Sequence, residues 1–279
     1  MMPATLNSGE FGHLTETRPR AEGEHVSITV EDYHKNYGET VAVAGISFTV
    51  PPGEILGLVG PNGAGKTTTL RALAGILEPT RGRLAIAGHD LAKEPVAAKA
   101  ALAYVPDDPR LFDQLTVWEH FRFIASAYRL GSDWQAHAES LLMQFELTEK
   151  RDALTAELSR GMRQKVAICS GYLHEPKAIL LDEPLTGLDP RGIRTMKDSI
   201  HQRAAAGVAV IVSSHLLSLV EDLCTSILIL QRGRQVLHAS LAELHQRVAA
   251  DGQHETLEEL FFRLTETPLE VPPPNAGGP

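Results

Sequence analysis

The part of the sequence best suited to chemistry is a glycine-rich loop with a lysine and two hydroxyl side chains, where residues 60–68 read GPNGAGKTT. The run Ile55–Val59 before it is short and apolar, as in a buried strand, and residues 67–77 have helical spacing. At such a junction the backbone N–H groups and the helix N-terminus bind anions, and glycine lets the backbone come close to phosphate. The pattern therefore predicts a site for a nucleoside triphosphate.

The loop residues have distinct predicted roles. Lys66 neutralises the outer phosphates, and the hydroxyl of Thr67 is a ligand for Mg²⁺. The loop residues predicted to bind the nucleotide are Gly60, Pro61, Asn62, Gly63, Ala64, Gly65, Lys66, Thr67 and Thr68.

Two adjacent carboxylates strengthen this prediction. Asp182 and Glu183 directly follow the apolar run 179–181, so they lie at the carboxyl end of a buried strand, where open α/β folds bind ligands. Such a pair alone is more often a solvated strand end than a functional site, but together with the phosphate loop it is more often a functional site. We expect Asp182 to hold Mg²⁺, directly or through water, and Glu183 to orient or deprotonate the attacking water. The chain is thus predicted to bind and hydrolyse ATP or GTP.

Composition narrows the possible partners. The net charge is −9 and acidic residues accumulate near the C-terminus, which argues against steady binding of nucleic acid, although the acidity also fits ordinary solubility. Two cysteines are too few for a disulfide framework and fit a reducing cytosol. The sequence has no apolar run of membrane-spanning length and no export signal. We therefore expect any membrane role to come through another polypeptide.

The pattern of apolar residues predicts an α/β core. Residues 26–30 and 46–50 alternate apolar and polar side chains around turn residues at 36–39, which predicts two antiparallel strands. Continuous apolar runs predict parallel strands that are buried on both faces. These runs are 55–59, 178–181, 208–212 and 227–230.

An all-helical insertion is predicted at about 109–165. Thr116 with Glu119 has the spacing of a capping box, and Ser132 with Gln135 repeats it. The aromatic and apolar residues on one helical face are either core or a surface that docks a partner. The predicted organisation is a disordered tail at 1–24, the main domain at 25–245, a short helical extension at 246–264, and a disordered Pro/Gly tail at 265–279.

The order of the motifs resembles that of the ATP-binding-cassette (ABC) family of ATPases, over roughly residues 26–241. Six motifs follow the family's order, which makes the resemblance far more specific than the loop alone. They are an aromatic at Tyr37, the phosphate loop at 60–68, Asp107 where a glutamine usually lies, a signature-like segment at 158–162, the run ILLDEPLTGLDP at 179–190, and His215 after a strand.

The resemblance implies a P-loop NTPase core with a mostly parallel sheet, an antiparallel β subdomain and an inserted α-helical subdomain. It also implies that Tyr37 stacks on adenine and that His215 acts in catalysis by sensing the terminal phosphate. Ser159 and Gly161 would cap the phosphate held by a second chain, and Asp189 would couple the two sites. Two ATP molecules would then lie between two copies of this chain, or between it and a homologous ATPase subunit.

The sequence departs from the family pattern at two places. Arg160 and Met162 stand where the signature usually has a glycine and a glutamine, and we expect function to persist because Ser159 and Gly161 are kept. Asp107 is shorter than glutamine and charged. It is predicted either to approach Mg²⁺ or to act in coupling to a partner, and the neighbouring Asp108 is an alternative for that position.

The resemblance favours the ATPase subunit of a transporter, working with separate transmembrane subunits on the cytoplasmic face of the cell membrane. The signature SRGMRQK, Asp107 and the stretch LEELFFRL at 257–264 are similar to bacterial exporters, although that stretch is also simply an amphipathic helix. The alternative is a soluble ATP-driven switch that acts on a ribosome, DNA or a protein complex. A catalytically dead subunit is disfavoured because Lys66, Asp182, Glu183 and His215 are all present.

Overall fold

A six-stranded sheet forms the centre of the computed structural model, which describes residues 27–250 and 257–266. Its order is β10-β9-β3-β8-β7-β6, with all neighbours parallel except β10, which runs antiparallel to β9. The strands are β3 Ile55–Val59, β6 Leu102–Val105, β7 Ala178–Asp182, β8 Ala209–Ser214, β9 Ser226–Gln231 and β10 Arg234–Ser240.

The four parallel strands predicted from apolar runs are confirmed, and every residue of β3, β7, β8 and β9 is buried. The sequence analysis did not identify β6 and β10. β6 has only four residues, and β10 reads RQVLHAS, whose polar residues interrupt the apolar run. Edge strands of this kind give a weak signal because only part of their surface faces the core.

A second, four-stranded antiparallel sheet has the order β2-β1-β4-β5. Its strands are β1 Ile28–Tyr37, β2 Thr40–Val50, β4 Arg81–Ile86 and β5 His89–Asp90. β1 and β2 form a hairpin in which Ile28 pairs with Val50 and Tyr37 pairs with Thr40, as the sequence predicted. The two sheets meet where the backbone N–H of Ala44 donates to the Gly233 carbonyl at 2.8 Å.

Helices cover the sheets and connect their strands. They are α1 Lys66–Leu73, α2 Pro95–Ala100, α3 Val117–Ala127, α4 Trp134–Gln144, α5 Arg160–Tyr172, α6 Pro190–Ala205, α7 Leu217–Leu223, α8 Leu241–Ala250 and α9 Leu257–Glu266. The prediction that the first helix reaches residue 77 was wrong: α1 ends at Leu73, and Gly75 takes φ +64°. A left-handed glycine just past the last turn ends a helix.

The inserted helices α3 and α4 lie between β6 and β7, inside the predicted insertion. The predicted capping box of α3 is present, since Thr116 accepts from the Glu119 N–H and the Glu119 side chain accepts from the Thr116 N–H. The cap predicted at Ser132 was wrong. Asp133 stands at the N-cap of α4 without a side-chain hydrogen bond, because its backbone is already helical and does not turn the side chain toward the free N–H groups.

The C-terminal elements pack beside the central sheet. Leu260 of α9 is buried in a cluster with Val220, Ile227 and Leu237. α9 ends at Glu266, two residues beyond the predicted helical extension, so residues 265 and 266 of the tail predicted at 265–279 are helical. The predicted tail at 1–24 and the rest of the C-terminal tail lie outside the described residues. None of the helices within the described ranges is long and apolar enough to cross a membrane.

Candidate active site

The phosphate loop leaves the carboxyl end of β3 and enters α1 directly. Its shape requires glycine at two points. A methyl group on Gly60 would collide with the Leu230 carbonyl oxygen, and one on Gly65, which has φ +106°, would lie 2.9 Å from the Ala42 carbonyl oxygen. The loop is thus held between β9 and β2, with its N–H groups at the start of a helix, where the positive end of the helix dipole favours anions.

A cavity of about 280 Å³ opens over this loop. Residues 62–68 line it together with Asp107, Asp182 and Glu183, and β2 contributes Ala42. The structure therefore brings together the predicted loop residues and the three predicted carboxylates, which are far apart in the sequence. Gly60 and Pro61 support the loop from behind, through their carbonyl oxygens.

Lys66 is the cation of this cavity and is 8% exposed. Its ammonium donates to the carbonyl oxygens of Gly60 at 2.6 Å and Pro61 at 3.3 Å. Burial lowers the pKa of Lys66, while the negative charges of Glu183 and Asp182 act in the opposite direction. The two carbonyls hold the ammonium at the loop in advance, where an entering phosphate can share it.

Asp182 ends β7 and is 3% exposed. It pairs across the sheet with Ser213 of β8, whose hydroxyl donates to Asp182 Oδ1 at 2.5 Å. Its negative charge also adds to the burial that raises the pKa of nearby Tyr104. A carboxylate fixed in this way, in the same cavity as the Thr67 hydroxyl, offers the oxygen ligands that Mg²⁺ prefers.

Glu183 takes a backbone conformation that is rare for its type, with φ +49°. Its N–H donates to the Ser213 carbonyl at 3.2 Å, and its carboxylate accepts a hydrogen bond from Nδ1 of His215 at 2.9 Å. Such a backbone costs on the order of 1–3 kcal/mol and recurs at functional sites. Here it turns the carboxylate toward the cavity, in contact with a histidine whose side chain is 59% exposed.

The signature-like segment lies outside this cavity. Ser159 is exposed and forms the N-cap of α5, where its hydroxyl accepts from the Met162 N–H at 3.3 Å. Gly161 packs closely on the loop after β7, since a methyl group on Gly161 would lie 2.6 Å from the Gly187 carbonyl oxygen. The start of α5 therefore presents a hydroxyl and a helix N-terminus to solvent, and neither residue lines this chain's own cavity.

The structure places Tyr37 and Asp189 outside the cavity as well. Tyr37 is half exposed at the tip of the β1–β2 hairpin, with the Lys35 ammonium 5.2 Å from the centre of its ring. Asp189 caps α6 by accepting from the Gly192 N–H at 3.0 Å. Their roles in adenine stacking and in coupling stay predictions.

Asp107 lines the cavity but has a partner that the sequence analysis did not foresee. Its Oδ1 accepts from Nη2 of Arg160 at 3.1 Å, so the loop after β6 is joined to the start of α5. Its role as a Mg²⁺ ligand stays a prediction.

Comparison with known proteins decides the family. Residues 43–186 match the model of the ABC transporter family. The ABC-type transporter ATP-binding protein EcsA of Bacillus subtilis (strain 168) is 32% identical over 86% of this chain and 96% of its own length. This chain belongs to the ABC transporter family. A solved structure titled "Structure of ATP binding subunit of ABC transporter" is 34% identical, with a TM-score of 0.80, and the match covers 85% of this chain and 99% of that one.

Membership of the ABC family confirms three predictions: the P-loop NTPase fold, the identity of the chain as the ATP-binding subunit of an ABC transporter, and its activity as an ATP hydrolase. A further relative, the Nod factor export ATP-binding protein I of Paraburkholderia xenovorans (strain LB400), is 32% identical over 78% of this chain and 72% of its own length.

The contacts of three supporting residues of this ABC site were not predicted from the sequence. Ser213 holds Asp182, Ala42 forms part of the cavity wall, and Arg160 pairs with Asp107. Ser213 had a signal, because it directly follows the apolar run 208–212 and so lies at the carboxyl end of a parallel strand, as Asp182 does. Arg160 and Ala42 had none, since their contacts arise only when distant loops meet.

Proposed function

We propose that this chain is the ATPase subunit of an exporter, in which two chains close on two ATP molecules and open after hydrolysis to move separate membrane subunits. The observation that carries the proposal is the contrast between a cavity assembled within the chain and a signature segment that faces solvent. The relative named for Nod factor export supports transport outward from the cell.

In the proposed complex the triphosphate lies along residues 62–68, and the Lys66 ammonium contacts its outer phosphates. The ammonium is already at the loop, so binding requires no large movement of the side chain. Thr67 and Asp182 are the residues that would hold Mg²⁺, which neutralises developing charge on the phosphate oxygens. Tyr37 lies on the β1–β2 hairpin that also carries Ala42 of the cavity wall, and it is the residue proposed to stack on the adenine.

Glu183 is the proposed general base. Its carboxylate accepts a proton from the attacking water, and the strained backbone fixes the direction in which the carboxylate faces. His215 contacts this carboxylate through Nδ1, so Nε2 is the ring nitrogen proposed to face the terminal phosphate. The pair thus links the state of the phosphate to the position of the base.

The second chain is proposed to complete each site. Ser159 and the N-terminus of α5 form an anion-binding spot that this chain's own cavity does not use. When two chains face each other, that spot closes on the terminal phosphate held by the partner's Lys66 loop. Asp189, in the loop that Gly161 contacts through Gly187, would pass the change between the two sites.

The membrane subunit is proposed to dock on the helical insertion. Phe112 and Phe123 pack edge to face at 5.1 Å between ring centres, yet they are 54% and 48% exposed. Phe123 also lines a groove together with Leu115 and Arg122. An exposed aromatic pair of this kind marks an interaction site, and a membrane partner would hold the chain at the cytoplasmic face.

Co-expression with the product of a neighbouring gene that encodes several membrane-spanning segments tests the proposal. We expect the chain to purify with the membrane fraction and its ATP hydrolysis to rise when the complex is reconstituted in vesicles. Phe123→Asp should release the chain from the membrane and leave its basal hydrolysis unchanged. Phe262→Asp, at an equally exposed phenylalanine of α9, is the matched control. A chain that stays unattached, with hydrolysis indifferent to the membrane protein, would refute the transport proposal.

A further inference from the structure

One ion pair joins the wall of the nucleotide cavity to the signature segment. Nη2 of Arg160 donates to Asp107 Oδ1 at 3.1 Å, and both side chains are about half exposed. The stem of Arg160 lies over Gly187, since a methyl group built there would be 3.4 Å from Arg160 Cδ. Arg160 therefore contacts the loop after β6 and the loop after β7 from the first turn of α5.

Arg160 is a cation at the start of a helix, where a nearby anion would compensate its charge. A cation is disfavoured near a helix N-terminus, and α5 has no acidic residue in its first turn. Asp107 is the anion that Arg160 contacts, although it comes from a loop more than fifty residues earlier in the sequence.

The cavity has a matching need for charge compensation. Three carboxylates line it, and the triphosphate that enters is itself strongly negative. Asp182 is held by the Ser213 hydroxyl and is the proposed magnesium ligand, while Glu183 accepts from His215. Asp107 has neither arrangement, and its charge on the cavity wall is balanced by Arg160.

We propose that Arg160 is a positioning residue for nucleotide binding. It holds the Asp107 carboxylate toward α5 and balances its negative charge, so that the triphosphate does not meet an unbalanced carboxylate on this wall of the cavity. The proposal rests on the nucleotide site at residues 60–68. It gives the two departures from the family's sequence pattern, Asp107 and Arg160, a single joint role, because each charge compensates for the other.

ATP affinity measured in EDTA tests the proposal, since the chelator removes any contribution of Asp107 to metal binding. Arg160→Gln should weaken ATP binding by roughly three- to tenfold, as expected of one unbalanced charge in a partly screened site. The defect should shrink at high salt. Asp107→Asn should bind ATP as well as the wild type or better, and the double variant should match the wild type because both charges of the pair are then removed.

One matched variant tests whether the effect is specific to Arg160. Arg163→Gln removes another arginine from the first turn of α5, one that donates to the Leu158 carbonyl rather than to Asp107, and should leave affinity unchanged. An Arg160→Gln defect that persists in the double variant, or no defect at all, would overturn the charge-balance proposal. A wild-type chain that binds no ATP would instead overturn the site assignment itself.

Discussion

The phosphate cavity and the signature segment are both anion-binding arrangements at the start of a helix, yet they differ in completeness. In the cavity, the start of α1 with its buried Lys66 faces carboxylates from β7 and the loop after it, so donors and the proposed metal ligands converge within one chain. At the start of α5, Ser159 is exposed and its hydroxyl serves only the helix cap within the described residues. The cavity is therefore assembled within the monomer, while under the proposed dimer the start of α5 takes its ligand from a second chain.

The largest effect is expected from Glu183→Gln, which keeps the shape of the side chain and removes its basicity. A positioned base contributes about 10²- to 10⁴-fold, so phosphate release should fall by that factor while ATP affinity stays unchanged. The matched control is Glu221→Gln, an exposed glutamate on α7. Turnover close to that of the wild type would remove Glu183 from the role of base.

Lys66→Ala tests the phosphate cavity, and it should weaken ATP binding itself. Hydrogen bonds to charged groups contribute about 1.5–3 kcal/mol, which corresponds to roughly 10- to 100-fold in affinity. Titration calorimetry with ATP measures the loss. Lys197→Ala, which removes a surface lysine paired with Asp222, is the control. Unchanged affinity in Lys66→Ala would contradict the placement of the triphosphate on this loop.

Ser159→Asp tests the signature segment at the start of α5, and it is expected to have the smallest effect of these three substitutions. Aspartate is as good an N-cap as serine, so α5 should remain intact, but its charge would repel a phosphate presented by a second chain. We expect turnover to fall by roughly tenfold, the scale of a like-charge contact in a partly screened site, with monomer ATP affinity unchanged. Ser132→Asp, at an exposed serine of the helical insertion, is the control. Weaker ATP binding by the monomer would place Ser159 in its own chain's site.

The phosphate cavity and the signature segment also differ in how far the sequence predicted them. The loop, Asp182 and Glu183 were predictable because a buried strand followed by a ligand loop leaves a local pattern. The Asp107–Arg160 pair was not, since it depends on how the helical insertion packs on the core. Local patterns failed similarly at α1, where Gly75 ends the helix early, and at Ser132, where the backbone of α4 begins without a side-chain cap.

Sedimentation of the Glu183→Gln chain, with and without Mg·ATP, tests the central claim most directly. This variant should hold ATP without consuming it, so the closed pair of chains should accumulate. We expect the mass of one chain without nucleotide and of two chains with Mg·ATP, and the shift should be lost when Ser159→Asp is added. A chain that binds Mg·ATP and stays monomeric would contradict the claim that the exposed signature segment completes a partner's site.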